Sequence, residues 1–229
     1  MKANGGETMI IRSHHRTRWA VLLLAVALAV ALVAYAWPAA QRADAADFKT
    51  VTKTLDKDGV IQIPGQFGSQ IGPASPYPSG KLVSSFPQGS TILDVDLILR
   101  SFTHQSPAEI DVMLVHGITK RVVMGDAGSI FDVGDPIRLV LDDEAESKLP
   151  QNAQIVEGRY RPANYPTADP FDPPAPQVAN GDTTPKLSGF DGKNPNGGWK
   201  LFVDDQFNTG TGVILDGWSL RVRAKVPTN

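Results

Sequence analysis

From residue 46 onward the dominant spacing of apolar side chains is two. In 91–100, Leu93, Val95, Leu97 and Leu99 alternate with Asp94, Asp96 and Arg100, the mark of a strand with one buried face. The segment 109–115 repeats the pattern, with Ile110, Val112 and Leu114 predicted inward. Further strands are expected at 121–124, 137–141, 199–203 and 213–224, and shorter ones at 50–55, 60–63, 81–86 and 155–160. In the last long segment Val213 and Leu215 share one parity, while Trp218, Leu220, Val222 and Ala224 have the other. An extra residue near Gly217 would restore a single buried face, as a bulge does. No stretch after residue 46 carries sustained helical periodicity. Nine or ten short strands separated by Gly, Pro, Asn and Asp predict an all-β fold, a two-sheet antiparallel β-sandwich over 50–226.

The first 49 residues follow another pattern. Arg12, Arg16 and Arg18 precede an uncharged run from Trp19 to Trp37, so 1–18 reads as a basic flank. At about 1.5 Å per residue, this hydrophobic helix just spans a hydrocarbon layer of roughly 30 Å. It therefore reads as a membrane anchor or as the apolar region of a signal peptide, with Ala43, Asp44 and Ala45 in the 38–49 linker supplying a small-residue cleavage pattern. In both readings the positive flank stays inside, which places the rest outside the cytoplasm, either secreted or membrane-anchored.

Charge sharpens this division. Residues 1–45 sum to +3 and residues 46–229 to −5, out of 22 basic and 24 acidic side chains in all. An acidic domain offers no electrostatic basis for nucleic-acid binding. With no Cys in the chain, disulfides, thiol catalysis and Cys-ligated zinc are excluded. The 39 Gly and Pro fall mostly in connections, and 163–186 is a proline-rich segment expected to be a surface loop, since Pro cannot pair in a central strand.

Candidate chemistry is sparse. A hydrolase acting on its own would need a base beside a nucleophile, and only His104 and His116 lie in the exported part. No G-x-S-x-G elbow is present, and no catalytic or cofactor-binding residue is assigned. Clustered carboxylates at strand ends make calcium the one candidate cofactor, with Asp111, Asp126, Asp142 and Asp143 as candidate ligands, because calcium takes six to eight oxygens from converging loops. A calcium-stabilised surface or cell-wall binding module is accordingly an alternative.

The order of several pieces resembles the P domain, or P/Homo B domain, of proprotein convertases. They run from Ala74, Ser75, Pro76, Tyr77, Pro78 and Ser79 through the strand 92–97 to Phe102, Thr103 and His104 leading into 109–115. Met124, Gly125, Asp126, Ala127 and Gly128 follow, then Leu141, Asp142, Asp143, Glu144 and Ala145, then Gly158, Arg159, Tyr160, Arg161 and Pro162. The set closes with the 190–199 stretch, which contains Asn194, Pro195, Asn196, Gly197, Gly198 and Trp199, then Gly210, Thr211 and Gly212, and the strand ending in Trp218, Ser219 and Leu220. The similarity spans 55–224. It departs at His116 and Gly117, where the family commonly has Ser-Pro-x-Gly, and in the long proline-rich stretch.

The resemblance implies a jelly-roll β-sandwich associated with subtilisin-like serine endopeptidases and proteolysis. The family's catalytic triad lies outside this domain, so none of it maps here. The expected role is a non-catalytic module that binds or stabilises a protease or envelope protein in trans. Asn194, Asn196, Gly197 and Gly198 read as a tight turn that lets Trp199 open a strand and bury its ring.

Overall fold

Alternating apolar side chains can bury one face only by packing against a second sheet, and the computed structural model shows two mixed sheets sharing one core, an all-β sandwich. The structure describes residues 47–64, 71–165, 170–178 and 185–228. The expected helix at 19–37 and its flank at 1–18 lie outside them, as does the 38–49 linker up to residue 46, whereas Phe48 and Lys49 already belong to the first strand. Among the described residues no helix is long and apolar enough to cross a membrane.

In the first sheet, strand β1 (Phe48–Lys57) pairs with β13 (Trp218–Pro227), which pairs with β5 (Thr91–His104), followed by β12 (Gly212–Ile214) and β2 (Ile61–Ile63). β8 (Val133–Leu141) also pairs with β5 and carries β9 (Gly158–Tyr160). In the second sheet the order is β10 (Ala163–Asn164), β7 (Thr119–Gly125), β6 (Ile110–His116), β11 (Gly197–Asp205) and β3 (Gly72–Pro73), with β4 (Ser79–Val83) also on β11. The long pairs are antiparallel, but β8 with β9 and β7 with β10 are parallel. The sandwich is therefore not purely antiparallel as expected, because β9 and β10 run as short additions beside β8 and β7. The first residue of β1, Phe48, lies opposite the last of β13, Pro227.

Inward residues of both sheets meet in the core. Val95, Leu97, Leu99, Trp218, Leu220 and Val222 from the first sheet join Ile110, Val112, Leu114, Trp199, Leu201 and Val203 from the second. Both indoles bury a polar handle with a partner: Trp218 Nε1 donates to Ser79 Oγ at 2.9 Å, tying the sheets together, and Trp199 Nε1 donates to the Pro195 carbonyl at 3.0 Å. The expected turn before Trp199 has a defined mechanism. Asn194 Oδ1 accepts from the Asn196 amide at 3.0 Å, and the Asn196 side chain brackets the backbone of Phe86, accepting from its amide and donating to its carbonyl.

Two further sequence expectations need correction. Leu93 does not face inward: the pairing with β13 slips between Arg223 and Ala224, so Ile92 takes the buried place at 1% exposure and Leu93 is left at 37%. Where a second bulge was expected, the buried residue is Ile214, flanked by the more exposed Val213 and Leu215. Ile214 already shares the parity of Trp218, so the extra residue inferred near Gly217 is not what aligns the faces. A turn at Leu215, Asp216 and Gly217 instead spans the kink in β5, where Ser101 has φ +56°. Gly217 sits at φ +77°, and a Cβ there would meet the Lys57 carbonyl oxygen at 2.1 Å.

The described part of the proline-rich segment, 170–178, is a mostly exposed loop, as expected, but it also carries buried anchors. Within it Phe171 and Ala175 are buried against Met113, Val115, Val122 and Phe202, and Tyr77 packs edge-to-face on Phe202 at 5.0 Å. Residues 170–178 thus form a strap that gives the outer face of the second sheet its own small core. This explains why every residue of β6 is buried rather than alternate ones.

The outer face of the first sheet is charged. Asp96, 2% exposed, is approached by the guanidinium groups of Arg159 at 3.6 Å and Arg221 at 3.4 Å. Burial first, and then the charges of Asp142 and Asp94, push its pKa up to about 6, with the two arginines opposing. Glu144, hydrogen-bonded to Asp142, is raised to about 7 chiefly by that contact. The folded chain holds the Asp96 proton up to about pH 6, whereas the unfolded chain loses it near 3.8, so folding gains as pH falls through that window. Asp96→Asn is expected to remove roughly 1–2 kcal/mol of that gain. Melting temperature measured from pH 4 to 7.5 should show a flatter profile in the variant, and an unchanged profile would contradict the assignment.

Candidate functional site

One group of buried polar side chains, His104, Glu109, Asp111, Asp204 and Asp205, lies on β5, β6, β11 and the 3-10 turn before β6. β5 delivers His104 at its last position, and β11 delivers the adjacent Asp204 and Asp205. Successive strand residues point to opposite faces, so the two acids serve different layers. Asp205 faces inward, where its Oδ2 lies 3.2 Å from His104 Nε2, both side chains being wholly buried. Asp204 faces outward, and its Oδ2 accepts from Tyr77 Oη at 3.0 Å and from the Asp172 amide at 2.9 Å, pinning the strap. Burial raises the pKa of both Asp204 and Tyr77.

The tautomer of His104 follows from its neighbours. Nδ1 accepts from the Ser106 backbone amide at 3.1 Å, so Nε2 carries the hydrogen and donates to Asp205. Ser106 therefore meets the ring through its backbone and not through its hydroxyl. Close packing holds this arrangement: a Cβ on Gly212 would lie 2.4 Å from His104 Cδ2 and 2.3 Å from the Thr103 carbonyl oxygen.

His116, at the end of β6, stacks on Trp199 with ring centroids 4.1 Å apart and planes 7° apart. Its Nε2 lies 2.7 Å from the Asn194 carbonyl oxygen and its Nδ1 3.1 Å from that of Gly198. The ring thus links β6 to the turn that opens β11. An open cleft of about 610 Å³ lies beside it, lined by Ile118, Lys193, Lys200, Asn194 and Gly198 among others. Neither histidine has a hydroxyl as a ring partner among the described residues.

The four calcium candidates separate into two pairs. Asp142 is held by Arg159 and accepts from the Glu144 amide at 2.9 Å; Asp143 accepts from the amides of Leu187 and Ser188 at 3.0 and 2.9 Å, at the start of the 3-10 turn Leu187–Phe190. These two acids hold connections in place. Asp111, near the start of β6, and Asp126, just past β7 with φ +51°, line one cavity of about 220 Å³. Glu109 joins them from the 3-10 turn Pro107–Glu109.

Glu109 was not legible as a site residue. Its Oε1 accepts from the Thr209 hydroxyl, whereas Oε2 is buried with no hydrogen-bond partner. Burial, then the charge of Asp205, raises its pKa. The signal in the sequence was an acid directly before a buried strand, which is also the commonest place for a solvated one. Among the described residues no group of three or more His, Asp or Glu side chains gathers closely enough to hold a metal ion. Comparison with family models, with curated proteins and with solved structures finds no match for this chain.

Proposed function

We propose that the chain is an exported, non-catalytic module of the P/Homo B class, a jelly-roll sandwich that binds or stabilises a partner in trans. The partner class is a subtilisin-like serine endopeptidase or another envelope protein, met outside the cytoplasm by a chain that is secreted or held by residues 19–37. The observation that carries the reading is the state of the two histidines. All four ring nitrogens face a carboxylate, a backbone amide or carbonyl oxygens, so both rings act as internal braces. Further support comes from the ordered set of short motifs, several of which have structural work in the fold. The turn at 194–198 positions Trp199, Asp142 and Asp143 tie down connections, and Ser79 anchors Trp218.

Two measurements test it. The purified chain is expected to leave a broad peptide library uncleaved, and turnover that survives repurification would end the non-catalytic reading. Affinity capture from the native envelope fraction is expected to recover a subtilisin-like protease or a defined envelope protein in stoichiometric amount, and recovery of neither would end the partner reading.

A further inference from the structure

We propose that the cleft beside His116 is a docking groove for an extended, acidic segment of a binding partner. The proposal rests on the partner-binding reading for what carries that segment, and adds the surface and the chemistry it takes. Trp199 faces the core, so its neighbours Gly198 and Lys200 face outward from β11. The strap covers this outer face as far as Val115 and Phe202. From Val115 the face runs on, uncovered, into the cleft of about 610 Å³.

Two strand glycines leave the backbone bare there. Gly198 lies opposite Leu82 of β4, and Gly80 lies opposite Lys200. Neither has a left-handed φ; a Cβ on Gly198 would meet nothing within 4 Å, and one on Gly80 only the Trp199 carbonyl oxygen at 4.0 Å. Neither conformation nor packing calls for glycine at these places, and a strand glycine with open space above it marks where another backbone can come close. Large apolar side chains flank the bare strip. Leu82 is 77% exposed on β4, and Ile118 is fully exposed at the tip of the hairpin between β6 and β7. Both leave apolar area in water that a partner chain lying over the glycines would cover.

Charge selects the occupant. The cleft is lined by Lys193 and Lys200 and by no acid, and neither ammonium has an ion pair among the described residues. On an otherwise acidic domain these two cations are an isolated surplus, which a carboxylate-bearing segment matches and a basic one does not. The floor is already fixed, because the His116 ring faces the carbonyl oxygens of Asn194 and Gly198 at 2.7 and 3.1 Å, so docking has little to order. With room for roughly twenty waters at about 30 Å³ each and open to solvent, the cleft suits a chain lying across it better than an enclosed small molecule.

The test uses the full chain in detergent micelles, titrated with N-acetyl-Glu-Val-Glu-Leu-Glu amide and with its counterparts carrying Gln or Lys in place of Glu, while the amide resonances of Gly117 and Ile118 are followed. The acidic peptide is expected to give saturable shifts and the Lys peptide none, with the Gln peptide, which lacks the charge-assisted hydrogen bonds, about tenfold weaker or worse. Binding should weaken by about as much in Gly198→Leu, which fills the groove, and in the Lys193→Glu, Lys200→Glu double variant, which reverses its charge. A retained Trp218 indole resonance reports that a variant is folded; if Gly198→Leu fails that check, the double variant at two exposed lysines decides alone. Absence of saturable shifts, equal binding of the Gln peptide, or affinity unchanged in the folded variants would overturn the proposal. Phosphatidylglycerol doped into the micelles that reproduces the shifts and displaces the peptide would overturn it in favour of a lipid surface, and shifts that appear on raising the protein concentration alone would do so in favour of a second copy of the chain. An envelope partner captured by the parent and lost with Gly198→Leu supports the groove, whereas undiminished capture would leave the module reading intact and remove this surface. If the parent captures no partner but still binds the acidic peptide in a Gly198- and charge-dependent way, the groove stands and the module reading fails.

Discussion

Asp205→Ala is expected to lower the unfolding free energy by about 3 kcal/mol or more, because it leaves the buried Nε2–H of His104 without an acceptor. It also removes the carboxylate that faces the Phe207 amide at 3.4 Å. Asp205→Asn keeps the shape and can still present an oxygen to the ring, so its loss should be nearer 1 kcal/mol. Urea denaturation with an unchanged slope is the appropriate measurement, since a shift in midpoint alone then reports stability. Equal, small effects for both substitutions would mean that the pair does not brace the end of the sandwich.

The strap should respond as strongly. Phe171→Ala removes the largest side chain that the proline-rich segment places over Met113, Val115, Val122 and Phe202, and a loss of about 3 kcal/mol is expected if strap and sandwich unfold together. If the strap instead opens by itself, limited proteolysis should cut first between 163 and 186, with the rest of the domain still resistant. A midpoint within about 0.5 kcal/mol of the parent would show that the strap contributes little beyond cover.

How far the sequence reaches can be judged from single strands. Ile110, Val112 and Leu114 were readable because alternation on one buried face is a local property, and the same holds for Leu220, Val222 and Ala224. Leu93 was misread because parity survives only until a bulge, and a bulge is decided by the register with the neighbouring β13, more than a hundred residues away along the chain. Phe171 was rightly read as loop, but its burial was missed, because proline excludes a segment from a ladder without excluding it from a core. The acids show the same boundary more sharply. Asp111 and Asp126, fifteen positions apart, were singled out and do share a cavity, whereas Asp142 and Asp143 are engaged by Arg159 and by backbone amides that no spacing predicts. Glu109 became notable only through its burial, a property of everything packed around it.

The pairing of Phe48 with Pro227 has a mechanical meaning. Tension applied between these two positions would peel β1 from β13 one ladder bond at a time, starting at the loaded end. A load entering at residue 48 and leaving at Asp205 would instead pass from one sheet to the other, and the Trp218–Ser79 and His104–Asp205 hydrogen bonds join the sheets. The sandwich is thus easiest to open where its first and last strands part, and held where its two sheets are tied together.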